Sequence, residues 1–164
     1  MSFQDSLKKL KDSKEFKKFK AKNKKSFLFS AFFVMNSQFE LETQQFDFYL
    51  TNKKAATFSI NDEIEFKTDE FNPKSKIISL NENIKIDIDK LKEIINKEIK
   101  RKNLIDYDIN KIILILQKIN NEQLWNITCI LSNFKILKLH IDCFTGKILE
   151  SKEADIFDFI QIKR

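Results

Sequence analysis

The sequence predicts an α+β fold made of two degenerate helix–antiparallel-meander repeats, with an extra basic helical segment at the N-terminus. Three observations carry this reading. Apolar residues recur at helical spacing near the N-terminus and again in residues 88–102, and at alternate positions through most of the remainder. The alternating stretches are separated by short turns rich in Asn, Ser, Asp and Lys. The same order of elements also occurs twice, at an offset near half of the 164 residues.

Element by element, Ser2 and Asp5 form a capping box, and Phe3, Leu7 and Leu10 fall on one helical face. Phe16 and Phe19 project almost opposite, so the stripe switches near Ser13, which is placed to cap a second helix. From Phe27 the period changes to two. "FLFSAFFVM" reads as a strand, "NSQ" as a turn and "FELETQQFDFYL" as a strand with a bulge near 43–45, because Phe39 and Leu41 are odd whereas Phe46, Phe48 and Leu50 are even. "TNKK" turns the chain, Ala56, Phe58 and Ile60 continue the inward face, and "EIEF" supplies a fourth strand. Residues 68–83 hold the lone proline and read as a connector. Asp87 or Asp89 caps a helix carried by Ile88, Leu91, Ile94, Ile95 and Ile99.

The second meander follows as "KIILILQKI", a turn at Asn120-Asn121, "LWNITCIL", a turn near Asn133, "KILKLHI", a "DCFTG" turn and "KILE". "EADIFDFIQIKR" reads as a short helix or docked tail. A turn near Asn133 pairs Trp125 with Ile141, Ile127 with Leu139 and Cys129 with Leu137, all on the core face. His140 and Asp142 then lie on the polar face. Asn36-Ser37 corresponds to Asn120-Asn121, "FDFYL" to "WNITCIL", and Ile60-Asn61 to Ile141-Asp142. The units are therefore residues 1–67, the connector 68–83 and residues 84–164, sharing one compact domain.

Composition removes several function classes. One glycine cannot build a phosphate-cradling loop, and one histidine with two cysteines cannot supply a four-ligand zinc ribbon or finger. No cofactor or metal is expected. The 17 phenylalanines argue for a packed core. Lys, Ile, Asn and Phe have AT-rich codons, so lysine abundance by itself carries no function, but placement does. Residues 1–25 hold ten lysines (Lys8, Lys9, Lys11, Lys14, Lys17, Lys18, Lys20, Lys22, Lys24 and Lys25) against Asp5, Asp12 and Glu15, while the remainder is close to neutral. Such a segment suits a polyanion, whether RNA, a ribosomal surface or an anionic membrane surface. No small-residue cleavage motif follows Met35, and no apolar run reaches the roughly 18–20 residues of a membrane span. A cytoplasmic protein with two reduced thiols is expected.

Trp125 followed by a hairpin and "HIDCFTGKIL" resembles a PepSY-type module, whose last hairpin reads aromatic, then Asp-x-x-Thr-Gly-Lys-apolar. Asp142, Thr145, Gly146 and Lys147 match that turn, where they have a structural part. The resemblance implies a cystatin-like unit of one helix on an antiparallel meander. A tandem of such units resembles the architecture of the β-lactamase inhibitor proteins, which bind other proteins. The whole chain is also similar to small proteins of small-genome archaea, from which no function follows.

Candidate catalytic groups are sparse. His140 and Asp142 share a strand face, but Cys129 and Cys143 point elsewhere, so no nucleophile joins them. Paired acids such as Asp87/Asp89 read as helix caps. Tyr49, outward beside Thr57, is one ring available for base stacking. "IILIL" and "FLFSAFFV" are apolar on both faces, with Phe27, Phe29 and Phe33 opposite Leu28, Phe32 and Val34. The N-terminal helix and C-terminal tail are expected to cover the second face, the alternative being a partner. The expected function is a non-enzymatic protein-binding or adaptor module, with a homodimer among its possible states. The alternatives are an RNA- or ribosome-associated protein docking through the basic N-terminus, and a cystatin-like or lactamase-inhibitor-like inhibitor.

Overall fold

The computed structural model describes residues 2–158. Helix α1 (Phe3–Asp12) begins at the capping box: Ser2 Oγ accepts from Asp5 N at 3.0 Å, and Asp5 Oδ2 from Ser2 N at 3.3 Å. Ser13 ends α1 and caps α2 (Lys14–Lys22), accepting from Phe16 N at 3.1 Å, so two helices replace one rod. Strands β1 (Phe27–Met35), β2 (Leu41–Leu50), β3 (Lys54–Ile60) and β4 (Ile64–Glu70) follow as a meander. Helix α3 (Ile88–Arg101) opens the second half, with β5 (Ile109–Ile119), β6 (Glu122–Leu131), β7 (Lys135–Asp142) and β8 (Ile148–Asp155). Residues 156–158 are helical.

All eight strands form one antiparallel sheet, ordered β4-β3-β2-β1-β5-β6-β7-β8. The halves meet where β1 pairs with β5, from Ala31↔Leu116 to Met35↔Ile112. The helices bury one face. Phe3 of α1 meets Phe33, Phe46 and Trp125 at ring-centroid distances of 6.4, 5.9 and 6.3 Å, and so spans the junction. Phe16 and Phe19 of α2 pack on Phe48 and Phe58. Leu91, Ile95 and Ile99 of α3 are buried in the same core. The buried Glu98 is held by Arg101 Nε at 2.6 Å and by the Ser151 hydroxyl, which ties α3 to β8.

Asp87 has a double task. It caps α3, and its carboxylate also accepts from Phe3 N at 2.8 Å and Gln4 N at 3.3 Å, so one side chain fixes the N-termini of helices from both halves. The connector crosses from one sheet face to the other. Phe71 stacks on Phe29 (5.2 Å), away from the helices, whereas Leu80, Ile84 and Ile86 join the helix-side core. Beyond Ala31 and Leu116 the central strands are no longer paired. Leu80 N donates to Leu28 O there, and the buried Gln123 side chain holds Asn81 N and O at 2.8 Å each.

Four expectations need correction. Strand β4 runs to Glu70, so the first unit ends there, not at residue 67, and the connector starts at Phe71. The register jump in β2 falls at Glu42, between Thr43 and Leu41, and a second one lies in β1 between Leu28 and Ser30. That second bulge turns Phe27 and Phe29 to the face of Phe32 and Val34, leaving Leu28 with Ala31, Phe33 and Met35 on the helix side. The terminal "EAD" belongs to β8, and residues 159–164 of the expected tail lie outside the described residues. The β6–β7 register is as parity predicts, Trp125↔Ile141, Ile127↔Leu139 and Cys129↔Leu137, around Asn133 and Phe134 at positive φ.

Trp125 has no exposed surface, and its Nε1 donates to Ile86 O at 2.7 Å. Trp125→Ala is expected to cost about 3–5 kcal/mol, whereas His140→Ala on the opposite face should cost under about 0.5 kcal/mol. Equal shifts of the two in urea unfolding would contradict the face assignment.

Candidate functional site

The amphipathic helices dictate where the lysines go. With Phe3, Leu7, Leu10, Phe16 and Phe19 facing the sheet, the basic residues are left on the outer surface. They do not form one patch. Lys8 pairs with Asp12 at 2.8 Å, Lys11 pairs with Glu82, and Lys20 Nζ donates to the Ser26 carbonyl. Lys9, Lys14, Lys17, Lys18, Lys22, Lys24 and Lys25 remain exposed with no carboxylate at salt-bridge distance among the described residues.

None of α1, α2 and α3 covers the other face of the sheet. The expectation that the N-terminal helix covers it is overturned, because the apolar stripes of α1 and α2 match the opposite face. Phe27, Phe29, Tyr49 and Phe71 pack together at one end of this open face. Tyr49 is thus part of an aromatic cluster, not a bare stacking ring. Its centre follows from register. One row reads Glu65, Ser59, Gln45, Phe32, Ile115, Asn126, His140, Glu150 from β4 to β8. A second reads Thr43, Val34, Ile113, Thr128, Lys138, Lys152 from β2 to β8. Apolar side chains hold the middle, uncharged polar ones flank them, and charges of both signs stand toward the edges. The central four were legible as two-faced strands. Thr43, Gln45 and Ser59 were missed as surface residues, although alternation in "TQQFDFYL" marks the first two and alternation in "KAATFSI" the third.

The structure does not join His140 to Asp142. His140 Nδ1 lies 3.3 Å from Glu150 Oε2, its cross-strand partner. Asp142 accepts from Phe144 N at 2.8 Å and Thr145 N at 2.9 Å, and Gly146 N donates to Asp142 O at 2.9 Å. Burial pushes the Asp142 carboxyl up, but these N–H groups outweigh it and hold the pKa below the usual carboxylate value. Lys147 N donates to Thr145 Oγ1 at 3.2 Å. Gly146 has φ +79°, and a Cβ there would lie 3.2 Å from Ile86 Cδ1. These four residues hold the β7–β8 turn. Both cysteines are buried, and desolvation pushes Cys129 up to about 12 and Cys143 to about 11, so neither is a thiolate near neutral pH. Among the described residues no group of three or more His, Cys, Asp or Glu is placed to hold a metal ion.

Asp47 is the one carboxylate set well inside the open face. Burial raises its pKa, and only the Thr57 hydroxyl, donating at 2.6 Å, works the other way. A raised pKa favours the protonated folded state, so this contribution is complete below the unfolded value of about 3.9 and is lost as pH rises through the folded value. Asp47→Asn keeps an acceptor for Thr57. It should therefore match wild-type stability near pH 4 and exceed it increasingly as pH climbs toward neutrality. A pH series of urea midpoints checks this; a gap that is constant with pH would contradict the desolvated carboxylate.

No helix among the described residues is long and apolar enough to cross a membrane. No family model matches the chain, and no curated protein does. Among solved structures it is similar to a protein described as a putative lipoprotein from Clostridium difficile 630, at 12% identity and a TM-score of 0.56, over 85% of this chain and 90% of that one. At that identity the likeness concerns the fold alone, an α+β arrangement on one antiparallel sheet.

Proposed function

We propose that the chain is a non-enzymatic protein-binding module whose docking surface is the open face of the sheet. The observation that carries this is the order of two rows across the strands: apolar at the β1–β5 centre, uncharged polar on either side, mixed charge at the rim, with Asp47 in a neighbouring row as the exception, bonded to Thr57. That is the layout of a protein interface, whose buried core excludes charge. Eight strands about 4.8 Å apart and about 25 Å long offer on the order of 800 Å², the per-partner area of a standard interface. Mixed signs on this face do not suit a polyanion. Two helix–meander halves meeting back to back support a degenerate duplication of a PepSY-like, cystatin-like unit. Inhibition is the special case in which the partner is an enzyme. The reduced, buried thiols fit a cytoplasmic setting.

Benzoylphenylalanine at position 32 should give a saturable cross-linked adduct in native lysate, competed by unlabelled protein and abolished by Ile115→Lys with the fold intact. The same probe at the exposed Lys97 of α3 should not. A self-adduct, with light scattering at twice the monomer mass, would identify the partner as a second copy. Equal, uncompeted labelling at both positions would refute the reading.

A second reading, polyanion binding through the outer surface of α1 and α2, is favoured by the seven exposed lysines that have no carboxylate at salt-bridge distance among the described residues. Lysine contributes point charges, so contacts would be to phosphate and nearly independent of base sequence. About four contacts to a single strand predict log K falling against log salt with slope near −3. Gln at Lys17, Lys18, Lys22 and Lys25 together should flatten the slope and leave the circular dichroism unchanged. Absence of any polyanion binding at low salt would end this reading.

A further inference from the structure

The C-terminal end of α2 lies over the β3–β4 edge of the sheet and leaves a groove. Phe66 on β4 stands opposite Phe58 and therefore on the helix side, yet it is 49% exposed because no helix extends over it. One side of its ring is stacked on Phe58 at 5.1 Å and 22°, and Phe19 approaches at 6.0 Å. Beside it runs a groove of about 630 Å³ with Phe19, Leu50 and Phe66 as its apolar lining and Lys18, Lys22 and Lys54 as its cations. Glu15 is the one acid lining it among the described residues, and Glu70 stands opposite Lys54 on the edge strand. Around Lys22, Asn23 and Leu50 the groove meets a second concavity of about 300 Å³, lined by Lys24 and Lys25 and by no acid.

We propose that this groove binds single-stranded nucleic acid, with phosphates following Lys18, Lys22, Lys24 and Lys25 and a base stacked on Phe66. The inference rests on the polyanion reading and locates it. Single strands are held by a basic track beside an aromatic ring, because every base has a stacking face and every linkage a phosphate. Charge complementarity selects a polyanion. The exposed ring beside the lysines selects one with unpaired bases over a sulfated polysaccharide or a duplex. The apolar residues line a concavity, which an extended strand can enter and a flat bilayer cannot. No group is assigned to the 2′-hydroxyl, so DNA and RNA of equal length should bind alike.

Fluorescence anisotropy with short labelled oligothymidylate and oligouridylate provides the test, with heparin and a blunt DNA duplex as competitors. Phe66→Ala and Phe66→Leu should weaken single-strand binding about 5- to 150-fold, the range for loss of one stacked base, while Phe66→Tyr retains it. Heparin and duplex affinities should not change with any of the three. Gln at Lys18 and Lys22 should reduce the salt slope by about 1.4. Circular dichroism and urea midpoints establish that each variant is folded, and the Tyr variant guards against a merely structural effect. If all Phe66 variants bind oligothymidylate as wild type does while the lysine variant is weakened, the lysine surface stands and the groove is refuted. If wild type binds no polyanion at low salt, both are refuted.

Discussion

The pairing of β1 with β5 is the joint on which the other elements depend. Each half ends its meander at a charged outer edge, β4 or β8, and begins it at an apolar strand needing a neighbour on its other side. Joining the two first strands satisfies both needs, with a register from Ala31↔Leu116 to Met35↔Ile112. On the helix side of this joint, Ala31, Phe33, Met35, Ile112, Leu114 and Leu116 have no exposed surface. Phe3 reaches from α1 across the joint to Trp125. The topology also determines the connector: after β4 the chain is at one edge and must return to the centre. Its backbone is satisfied on the way by Leu28, Gln123 and Cys143, and it ends at Asp87, which joins α1 to α3.

The same burial separates the charges. Phenylalanine and leucine stripes orient α1 and α2 so firmly that their lysines have no choice of side, and the excess positive charge lies with the helices of the first half. The open face carries Glu65, Glu150, Lys138 and Lys152 toward its edges, so its field is mixed. The two proposed binding surfaces therefore belong to different sides of one sheet and differ in electrostatics. A protein on the open face and an anion at the helix side would not compete for the same groups.

Much of this was legible in the sequence because periodicity is a direct image of burial. The helix switch at Ser13 and the β6–β7 register follow from spacing alone, and so does a cap at Asp87 or Asp89, of which the fold uses Asp87. The failures have one physical source. A bulge shifts a strand by one residue without altering composition, so β1, apolar on both faces, could not show that Phe29 and Phe33 point to opposite sides. The side taken by α1 was misjudged because a helix stripe states that it must be buried, not which sheet face buries it. The groove at Phe66 was invisible for a related reason: alternation places Phe66 on the helix side, but only tertiary packing reveals that α2 stops short of it. The α+β class with antiparallel strands was thus readable, while the surfaces depend on offsets of one residue or one helical turn.

The apolar centre of the open face is small enough to be compatible with a folded monomer, which limits what the proposed docking can draw from it. Phe32 stands beside Ile115 and Val34 beside Ile113 across the central joint, so each of the four is half-covered by its neighbours. Covering a further 150 Å² or so would contribute about 4 kcal/mol at ~25 cal/mol per Å², less than the cost of association by itself. Affinity must therefore be completed by the polar flanks. Asp47 is bonded to Thr57 and His140 lies beside Glu150, so these groups already have partners. A docking protein gains little by offering them charges and loses if it strips those partners away. Selection on this face then rests on shape against a flat, weakly polar sheet, which favours a broad folded surface over a short charged peptide.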